Sequence, residues 1–441
     1  MSLDKETIQK RMNEALKLAA NVGIDAASVA CTLEKGFAVT VREKSVESVE
    51  HHQQVGFVLT AHVGHRSGSF YTTNLTPQAV VDAVHKAKSL AEVVEPDEAS
   101  GLPQESELAL FPPELSLNHP ADLTPQQAIQ DGIELESLAR SMDRRIALCD
   151  GVSVSSYQGE RFFANSLGMN AHYLRTEHAK SISLVAVEKS CRQADYEYTQ
   201  ARRASDLWSN DQLAESVVSK VVSRLGARQI PTQKCPVVFS PCVAKSLLRC
   251  LVSAVSGRVL YRRSSFLLDS CGEQLFPDTI YLRQLPHLSM GMGSAPFDSE
   301  GVKTREYDLV HQGVLKQYVL DSYGARKLGL QTTGNAGGVY NLVMEPTDPD
   351  LQSILVKMGT GLLVTELMGQ GVNITTGTYS RGAFGYWVEE GKIQFPVEEV
   401  TIAGHLRDMF AGLTAVGGDM DKRGRIHTGS LLVNEMTVAG S

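Results

Sequence analysis

The sequence predicts an α+β fold, in which an N-terminal antiparallel sheet with covering helices precedes a β-rich C-terminal domain. Three observations support this class. Apolar residues recur every three or four positions in residues 5–22, the spacing of one face of a helix. From Phe37 the apolar period changes to two, which is typical of strands. Alternating runs then dominate the second half of the chain, and the element order disfavours a Rossmann domain.

The first elements form a helix followed by an antiparallel meander. The helix over residues 5–22 carries its apolar stripe on Ile8, Met12, Ala15, Leu16 and Ala19. A second helix over residues 76–91 begins at Thr76-Pro77, a favoured helix start, and would cover one face of the sheet. The period-two runs between these helices predict strands at residues 37–43, 45–52, 55–63 and 67–74.

Residues 93–125 are rich in Pro, Ser and acidic residues and have no sustained period, which predicts a surface connection. We expect it to join two lobes of the N-terminal half, with the division near residues 95–124. A helix that follows Thr124-Pro125 and ends near Met142, strands over residues 147–168 and 170–188, and a helix over residues 212–225 complete this half. The predicted domains are therefore an N-terminal α+β region, 1–228, and a β-rich C-terminal domain, 229–441.

The second half begins with a short buried strand over residues 234–240, followed by a helix of about four turns over residues 241–257. Two further segments each contain a pair of alternating runs separated by a turn. These segments, residues 305–321 and 382–404, are interpreted as β-hairpins.

Composition excludes several classes of function. The formal net charge of −8 offers no long-range attraction to nucleic acid or to anionic membranes. The seven cysteines contain no CxxC pair, so reduced thiols are expected rather than a disulfide framework. The N-terminus lacks the continuous apolar core of a signal peptide or membrane span. We therefore expect a cytoplasmic protein with no nucleic-acid or membrane partner.

The common hydrolase motifs are absent from the sequence. It contains no GxxxxGK[ST] loop and no GxSxG elbow. None of the 12 histidines is followed by Glu, which excludes both HExxH and the longer HExxxH. The remaining histidine pairs, His51-His52 and His62 with His65, fall on predicted strands, where a spacing of three places side chains on opposite faces. These pairs are disfavoured as a metal site.

The glycine-rich segment over residues 358–387 is the most unusual feature. One interpretation is a groove wall where an extended peptide pairs with exposed backbone. The other is a set of bulges and tight turns in a bent sheet, which composition alone favours. Arg381 could hold a substrate carboxylate, although exposure to solvent is the default for an Arg. The candidate peptide-binding residues are Thr365, Glu366, Gly369, Gln370, Gly371, Ser380 and Arg381.

Two other segments contain residue types that occur in functional sites. Paired carboxylates can serve acid–base chemistry, but solvated turn charges are the commoner explanation for the charged loop that contains Asp298, Glu300, Lys303, Arg305 and Glu306. The GNAGG run at residues 334–338 predicts a mobile or tightly turned loop.

The C-terminal motifs resemble the PmbA (TldE) branch of the TldD/PmbA metallopeptidase family. The resemblance covers nearly all of residues 230–441 and, more loosely, the N-terminal half. It is carried by ordered matches, among them RRSSFLLDSCGEQLFPD (262–278), SYGARKLGL (322–330), TTGNAGG (332–338), MGTGLLVTELMGQGVN (358–373) and GSLLVNEMTVAG (429–440).

The resemblance implies two types of subunit. The TldD-type subunit carries HExxxH on a helix and a later Cys as the third zinc ligand, whereas PmbA-type subunits lack that motif. Here the corresponding positions lie near Cys250, Leu251 and Val255, and the Cys position lies near Thr428. No catalytic residue, metal ligand or cofactor is therefore expected in this chain. Cys250 is expected to be a buried packing residue and not a nucleophile.

The resemblance implies a subunit of a zinc-dependent peptidase complex that acts on unfolded peptides, including leader-peptide maturation and antitoxin degradation. Zinc is expected in a TldD-type partner, where it would activate water and polarise the scissile carbonyl. We expect a dimer, either with that partner or, for the isolated chain, a homodimer. The alternatives are a non-hydrolytic regulatory or peptide-binding protein of the gyrase-modulator type, and an autonomous peptidase with scattered zinc ligands.

Overall fold

The computed structural model describes residues 4–440 and confirms the α+β class. Its α-helices are α1 Lys5–Asn21, α2 Pro77–Val93, α3 Pro125–Met142, α4 Asn210–Ser223, α5 Pro241–Ala254, α6 Gly257–Tyr261, α7 Ser322–Lys327, α8 Leu351–Met358 and α9 Leu406–Ala411. In the described residues, no helix is both long enough and apolar enough to span a membrane.

The N-terminal half is built on one antiparallel sheet of six strands, in the order β3-β2-β1-β4-β5-β6. Because β1 pairs with β4, the sheet is continuous across the connection at residues 93–125. Strand β1 begins eleven residues before Phe37, and the two runs predicted at 45–52 and 55–63 form one strand. The bounds are β1 Ala26–Arg42, β2 Ser45–Val63, β3 Arg66–Thr72, β4 Ile146–Asn165, β5 Asn170–Glu188 and β6 Cys191–Ala201.

Four helices cover this sheet, and their starts follow from local capping. Asp4 accepts a hydrogen bond from the Thr7 amide at 2.8 Å, while Thr124 and Ser209 each form a capping box. Helices α1 and α2 pack with β1 and β2 in one buried cluster. Helices α3 and α4 pack with β1, β4 and β5 in another.

The C-terminal half contains a closed barrel of five strands. Strand β12 pairs with β7 in parallel and with β14 in antiparallel fashion, which closes the ring β12-β7-β18-β15-β14. Strands β13 and β16 extend this sheet. The bounds are β7 Gln233–Phe239, β12 Gly361–Met368, β13 Val372–Asn373, β14 Thr378–Glu389, β15 Lys392–His405, β16 Leu413–Val416 and β18 Leu431–Ala439.

A second sheet packs with the barrel around α5. Its order is β10-β9-β8-β11-β17, and both predicted hairpins are present, as β9–β10 and β14–β15. Apolar residues of α5 share one buried cluster with strands of both sheets. The predicted helix over 241–257 is broken by Ser256, which caps α6. The remaining bounds are β8 Leu282–Gln284, β9 Tyr307–His311, β10 Val314–Leu315, β11 Leu342–Met344 and β17 Ile426–His427.

The segment 97–117, which we name the strap, lies between the two halves. The prediction of a surface connection is confirmed in part, since Phe111 is 95% exposed, but Leu108, Leu115 and Leu117 are buried. The strap makes backbone hydrogen bonds to both halves: Ala109 N to Gly301 O at 2.9 Å, Lys303 N to Glu107 O at 2.9 Å, Met290 N to Leu115 O at 3.2 Å and Thr176 N to Leu117 O at 2.9 Å.

Side chains of α7 hold the start of the strap. Arg326 donates hydrogen bonds to the carbonyl oxygens of Ala99 at 2.8 Å and Gly101 at 3.0 Å, and also to that of Leu102. Tyr323 donates to Asp97 at 2.7 Å. These charge-assisted bonds fix the C-terminal half against the chain that leaves the N-terminal sheet.

Candidate functional site

The family's zinc-helix position falls at the end of α5, where the side chains pack rather than converge. Leu251 and Val255 are fully buried in the apolar cluster around α5. The Cys250 thiol donates to the Ser246 carbonyl one turn earlier at 3.2 Å. Burial raises the pKa of Cys250, although the charges of Arg381 and Arg249 oppose the rise. The thiol is therefore neutral at pH 7 and is not an activated nucleophile.

Thr428, the position that the family resemblance assigns to the zinc-binding Cys, is also fully buried. Its hydroxyl donates to the Gly429 carbonyl at 3.1 Å. Its own carbonyl accepts from the Asp421 amide at 3.0 Å. Thr428 thus holds a turn in place rather than presenting an oxygen to a ligand.

The glycine-rich segment forms β12, a turn, β13 and β14. The Thr365 position is a β-bulge, since the register between β12 and β14 shifts between Val364 and Glu366. The turn contains Gly369, with φ of +76°, and Gly371. A Cβ on Gly371 would overlap the carbonyl oxygen of Ser380. Close packing of two backbones therefore requires this glycine.

Glu366 lies away from the other candidates because it is paired with the N-terminal half. Its carboxylate is 2.6 Å from Arg224, the residue that ends α4. The Arg224 guanidinium also stacks 3.8 Å from the ring centroid of Phe384, the residue opposite Glu366 across the sheet. This ion pair and cation–π contact join the barrel to α4.

Ser380 and Arg381 leave opposite faces of β14, as successive side chains in a strand do. Ser380 is exposed and Arg381 is half-buried. Arg381 shares its face with Tyr379 and Ala383, which belong to the apolar cluster around α5. The structure therefore brings Arg381 together with Cys250 but separates it from Ser380 and Glu366.

The charged loop before β9 contains a buried carboxylate, Asp298, and a half-buried one, Glu300, so the interpretation of solvated turn charges is wrong for Asp298. Asp298 is fully buried and accepts hydrogen bonds from the amides of Glu300 at 2.8 Å, Val302 at 2.9 Å and Ala336 at 3.0 Å. Burial and then the Glu300 charge raise the pKa of Asp298 to about 7, against these three amides.

Glu300 accepts from the Ser322 amide at 2.9 Å, at the start of α7. Burial raises its pKa. The other charged residues of the loop, Lys303, Arg305 and Glu306, are exposed. Because every oxygen of Asp298 is bound to backbone and Glu300 caps a turn, the two carboxylates tie loops together rather than form an open acid–base pair.

The GNAGG run at residues 334–338 is tightly turned. Gly334, Gly337 and Gly338 have φ of +72°, +100° and +106°, where L side chains are strained. Asn335 donates to Gln284 at 2.7 Å and to the Gly338 carbonyl at 2.9 Å. The run is therefore a scaffold that receives Asp298.

The histidine pairs do not converge on a metal site. His62 lies in β2 near Ser100, and burial lowers its pKa. His65 lies in the turn between β2 and β3, with φ of +59°, so the prediction of a strand there is wrong. His51 is exposed and His52 lies 3.6 Å from Glu34. Residues 4–440 contain no group of three His, Cys, Asp or Glu residues suited to hold a metal ion.

A buried charge network beneath α5 was missed by the sequence reasoning. Lys245 pairs with Asp421 at 2.7 Å, and Arg423 bridges Asp421 at 3.0 Å and Glu197 of β6 at 2.9 Å. Glu197 also pairs with Lys220 of α4. One signal was available in the sequence, since Lys245 interrupts the apolar stripe of α5.

Comparison with known proteins identifies the family. Models described as PmbA/TldA metallopeptidase domain 1, central domain and C-terminal domain match residues 27–91, 118–227 and 232–440. Metalloprotease PmbA of Escherichia coli O157:H7 is 41% identical over 436 residues, covering 99% of this chain and 97% of that protein. The chain belongs to the PmbA branch of the PmbA/TldD metallopeptidase family.

A further relative and two solved structures are also similar to this chain. The Metalloprotease PmbA homolog of Haemophilus influenzae is 38% identical, covering 100% of this chain and 98% of that protein. A crystal structure from Bacteroides thetaiotaomicron VPI-5482, described as a proposed modulator of DNA gyrase, superposes with a TM-score of 0.93 at 26% identity over the full length of both chains. TldE of Thermococcus kodakarensis has the same fold, with a TM-score of 0.86 at 20% identity, covering 98% of this chain and 100% of that chain.

The zinc that the PmbA/TldD family resemblance implies does not fit the donors of this chain. The positions at the end of α5 offer a neutral thiol already bound to a carbonyl and two buried aliphatic side chains. The hydroxyl of Thr428 is directed to a backbone oxygen. Structural and catalytic zinc sites need at least three converging imidazole, thiolate or carboxylate ligands.

Proposed function

We propose that this chain is the non-zinc subunit of a TldD/PmbA-type zinc-dependent peptidase complex that acts on unfolded peptides. The observation that carries the proposal is the packing at the end of α5. Family membership supplies the expectation of peptidase chemistry, while Cys250, Leu251, Val255 and Thr428 are all engaged in packing or in local hydrogen bonds. Zinc, in this proposal, is bound by a TldD-type partner, and the complex is cytoplasmic.

The role of this chain is to supply walls and backbone contacts for the peptide. Support comes from the exposed turn at residues 369–371, which leads into β13. In the described residues β13 pairs only with β14, so its other edge is a place where an extended segment could add as a strand. Leader peptides and antitoxins are substrates of the kind proposed.

The test compares the isolated chain with the chain co-expressed with a TldD-type partner. Zinc is measured by elemental analysis of each purified sample, and both are incubated with an unfolded peptide whose fragments are identified by mass spectrometry. The proposal expects a metal-free, inert isolated chain and a complex that contains zinc and cleaves. One zinc per protomer and cleavage by the isolated chain would contradict it and indicate an autonomous peptidase.

A second candidate is a non-hydrolytic regulatory protein. It is favoured by the description of the Bacteroides thetaiotaomicron relative, at 26% identity, as a proposed modulator of DNA gyrase. The same assay separates the two functions. Binding of peptide without cleavage, in the presence of a partner that cleaves peptides with another PmbA-type subunit, would favour the regulatory function.

A further inference from the structure

The hydroxyl of Tyr379 is a buried polar group without a hydrogen-bond partner in residues 4–440. The side chain is 1% exposed and is among the largest that are fully buried. Its ring packs edge-on against Phe239, with centroids 6.5 Å apart. A Phe would satisfy this packing equally well, and buried hydroxyls without a partner are rare. The hydroxyl therefore needs an explanation other than packing.

Arg381 is a second polar group without a partner, two residues further along β14. Its side chain makes no hydrogen bond or ion pair with the described residues, and its Nε atom is buried. The residue opposite it on β15 is Ile402, which is fully buried in the apolar cluster around α5. A partly buried guanidinium beside apolar side chains is stabilised by a bound anion.

The side chains of Tyr379 and Arg381 lie on the same face of β14, because they are two residues apart in the strand. The charge of Arg381 lowers the pKa values of both Tyr379 and the neighbouring Cys250, against the larger effect of burial. In the described residues, no carboxylate forms an ion pair with Arg381. The other candidates are different, because Glu366 already has Arg224 and Asp298 already has three amides.

We infer that Tyr379 and Arg381 form a binding site for a carboxylate of the peptide substrate. A guanidinium presents planar donors that match a carboxylate, and the phenol supplies one further donor at a fixed position. The inference rests on the proposed function, because it takes the ligand to be a peptide that lies beside the end of α5.

The carboxylate could be the C-terminus of the peptide or an internal acidic side chain. Both present the same anion to Arg381 and Tyr379, so the experiment separates them. Four fluorescein-labelled unstructured peptides of equal length are used. One pair differs only in a C-terminal carboxylate or amide. The second pair has an amidated C-terminus and differs only in an internal Glu or Gln.

Binding of each peptide to the full-length isolated chain is measured by fluorescence anisotropy. The expected result is a preference of about tenfold for the acid in at least one pair, which identifies the source of the carboxylate. Arg381→Gln should abolish the preference, and Tyr379→Phe should reduce it several-fold. Arg305→Gln, at an exposed Arg in the loop before β9, is the matched control and should leave it unchanged.

A thermal melt of the unliganded variants gives a readout that a purely structural role would not produce. Removing a hydroxyl that has no partner should leave the melting temperature of Tyr379→Phe unchanged or raise it, while peptide binding weakens. A clear fall in melting temperature, equal binding within both peptide pairs or the absence of any binding would each overturn the inference.

Failure of this inference is distinguishable from failure of the proposed function. If the chain and its zinc-bearing partner cleave all four peptides at the same rate, the subunit function stands and the carboxylate site is wrong. If the isolated chain shows the acid preference but the mixture does not cleave, the carboxylate site stands and the peptidase role is wrong.

Discussion

The Nζ atom of Lys245 lies 2.7 Å from Oδ2 of Asp421, and the two side chains are only 6% and 5% exposed. Lys245 also donates to the Arg423 carbonyl at 2.5 Å. Burial lowers the pKa of Lys245, and the hydrogen bond that Lys245 donates to Asp421 opposes this. The buried Lys245 charge thus holds α5, the helix at the family's zinc position, against residues 421–423. Asp421 and the Arg423 carbonyl stabilise that charge.

Replacing Lys245 with Met should destabilise the protein by about 1–3 kcal/mol, because the buried Asp421 carboxylate loses one of its two cations and keeps only Arg423. The measurement is the free energy of unfolding from urea titration. Lys234→Met is the matched control, since its pair with Glu435 is 68% and 60% exposed, and it should cost less than about 1 kcal/mol. Equal losses in the two variants would show that burial of the Lys245 pair is unimportant.

Asp298 should make stability depend on pH between about 4 and 7. Its pKa in the folded state is about 7, against about 3.9 in the unfolded chain. Because folding raises the pKa of Asp298, this residue contributes its full stabilisation at low pH. That contribution is lost as the pH rises through 7. The free energy of unfolding should therefore fall by up to about 1.4 kcal/mol per pH unit in this window.

The check compares urea midpoints at pH 5 and 7 for the native chain, Asp298→Asn and Glu306→Gln. The Asn variant should be less stable, because its amide faces backbone donors, and should have a smaller difference between the two pH values. Glu306 is exposed, so its variant should keep the native difference. A full pH dependence in Asp298→Asn would assign the titration to another group.

Gly371→Ala should cost about 1–3 kcal/mol, as an overpacked contact does, because its Cβ would overlap the Ser380 carbonyl. Gly382→Ala is the control, since its Cβ would meet Met368 at an ordinary 3.4 Å. Thermal melts of both variants measure the difference. Tolerance of Ala at Gly371 would show that the turn can move, and would favour a binding role for its glycines over a packing role.

Arg326→Gln should release the start of the strap while the barrel stays folded. The guanidinium makes three hydrogen bonds to strap carbonyls, and Gln cannot span them. Hydrogen exchange followed by mass spectrometry should show faster exchange in residues 97–105 and unchanged exchange in β7 and β18. Protection identical to that of the native chain would show that the buried leucines, the backbone hydrogen bonds and the Tyr323–Asp97 bond hold the strap without Arg326.

Sequence reasoning predicted the elements that depend on local chemistry. The helix starts at Thr76-Pro77 and Thr124-Pro125 are visible because capping involves neighbours in the sequence. Closure of the barrel was not predictable, since the parallel pairing of Leu362 with Val237 joins residues far apart in sequence. Short helices such as α8 were missed because eight residues give little periodicity.

The candidate site was also predicted only in part, because local features are visible in the sequence and long-range packing is not. Arg381 stood out because an Arg in a glycine-rich segment is visible in the sequence. Tyr379 did not, because the absence of a partner for a hydroxyl is a property of packing and not of composition. The burial of Asp298 likewise depends on Ala336, which lies 38 residues away.

The strap has a consequence for the design of chimaeras within the family. A family model matches residues 232–440 as a unit, which suggests a simple exchange of C-terminal halves between relatives. Yet Leu108 and Ala109 lie in one buried cluster with Phe297 of the C-terminal half and Phe163 of β4. If residues 232–440 alone were transferred, they would pack against the strap of a different protein in this buried cluster. Residues 97–117 should therefore be taken from the same protein as the C-terminal half.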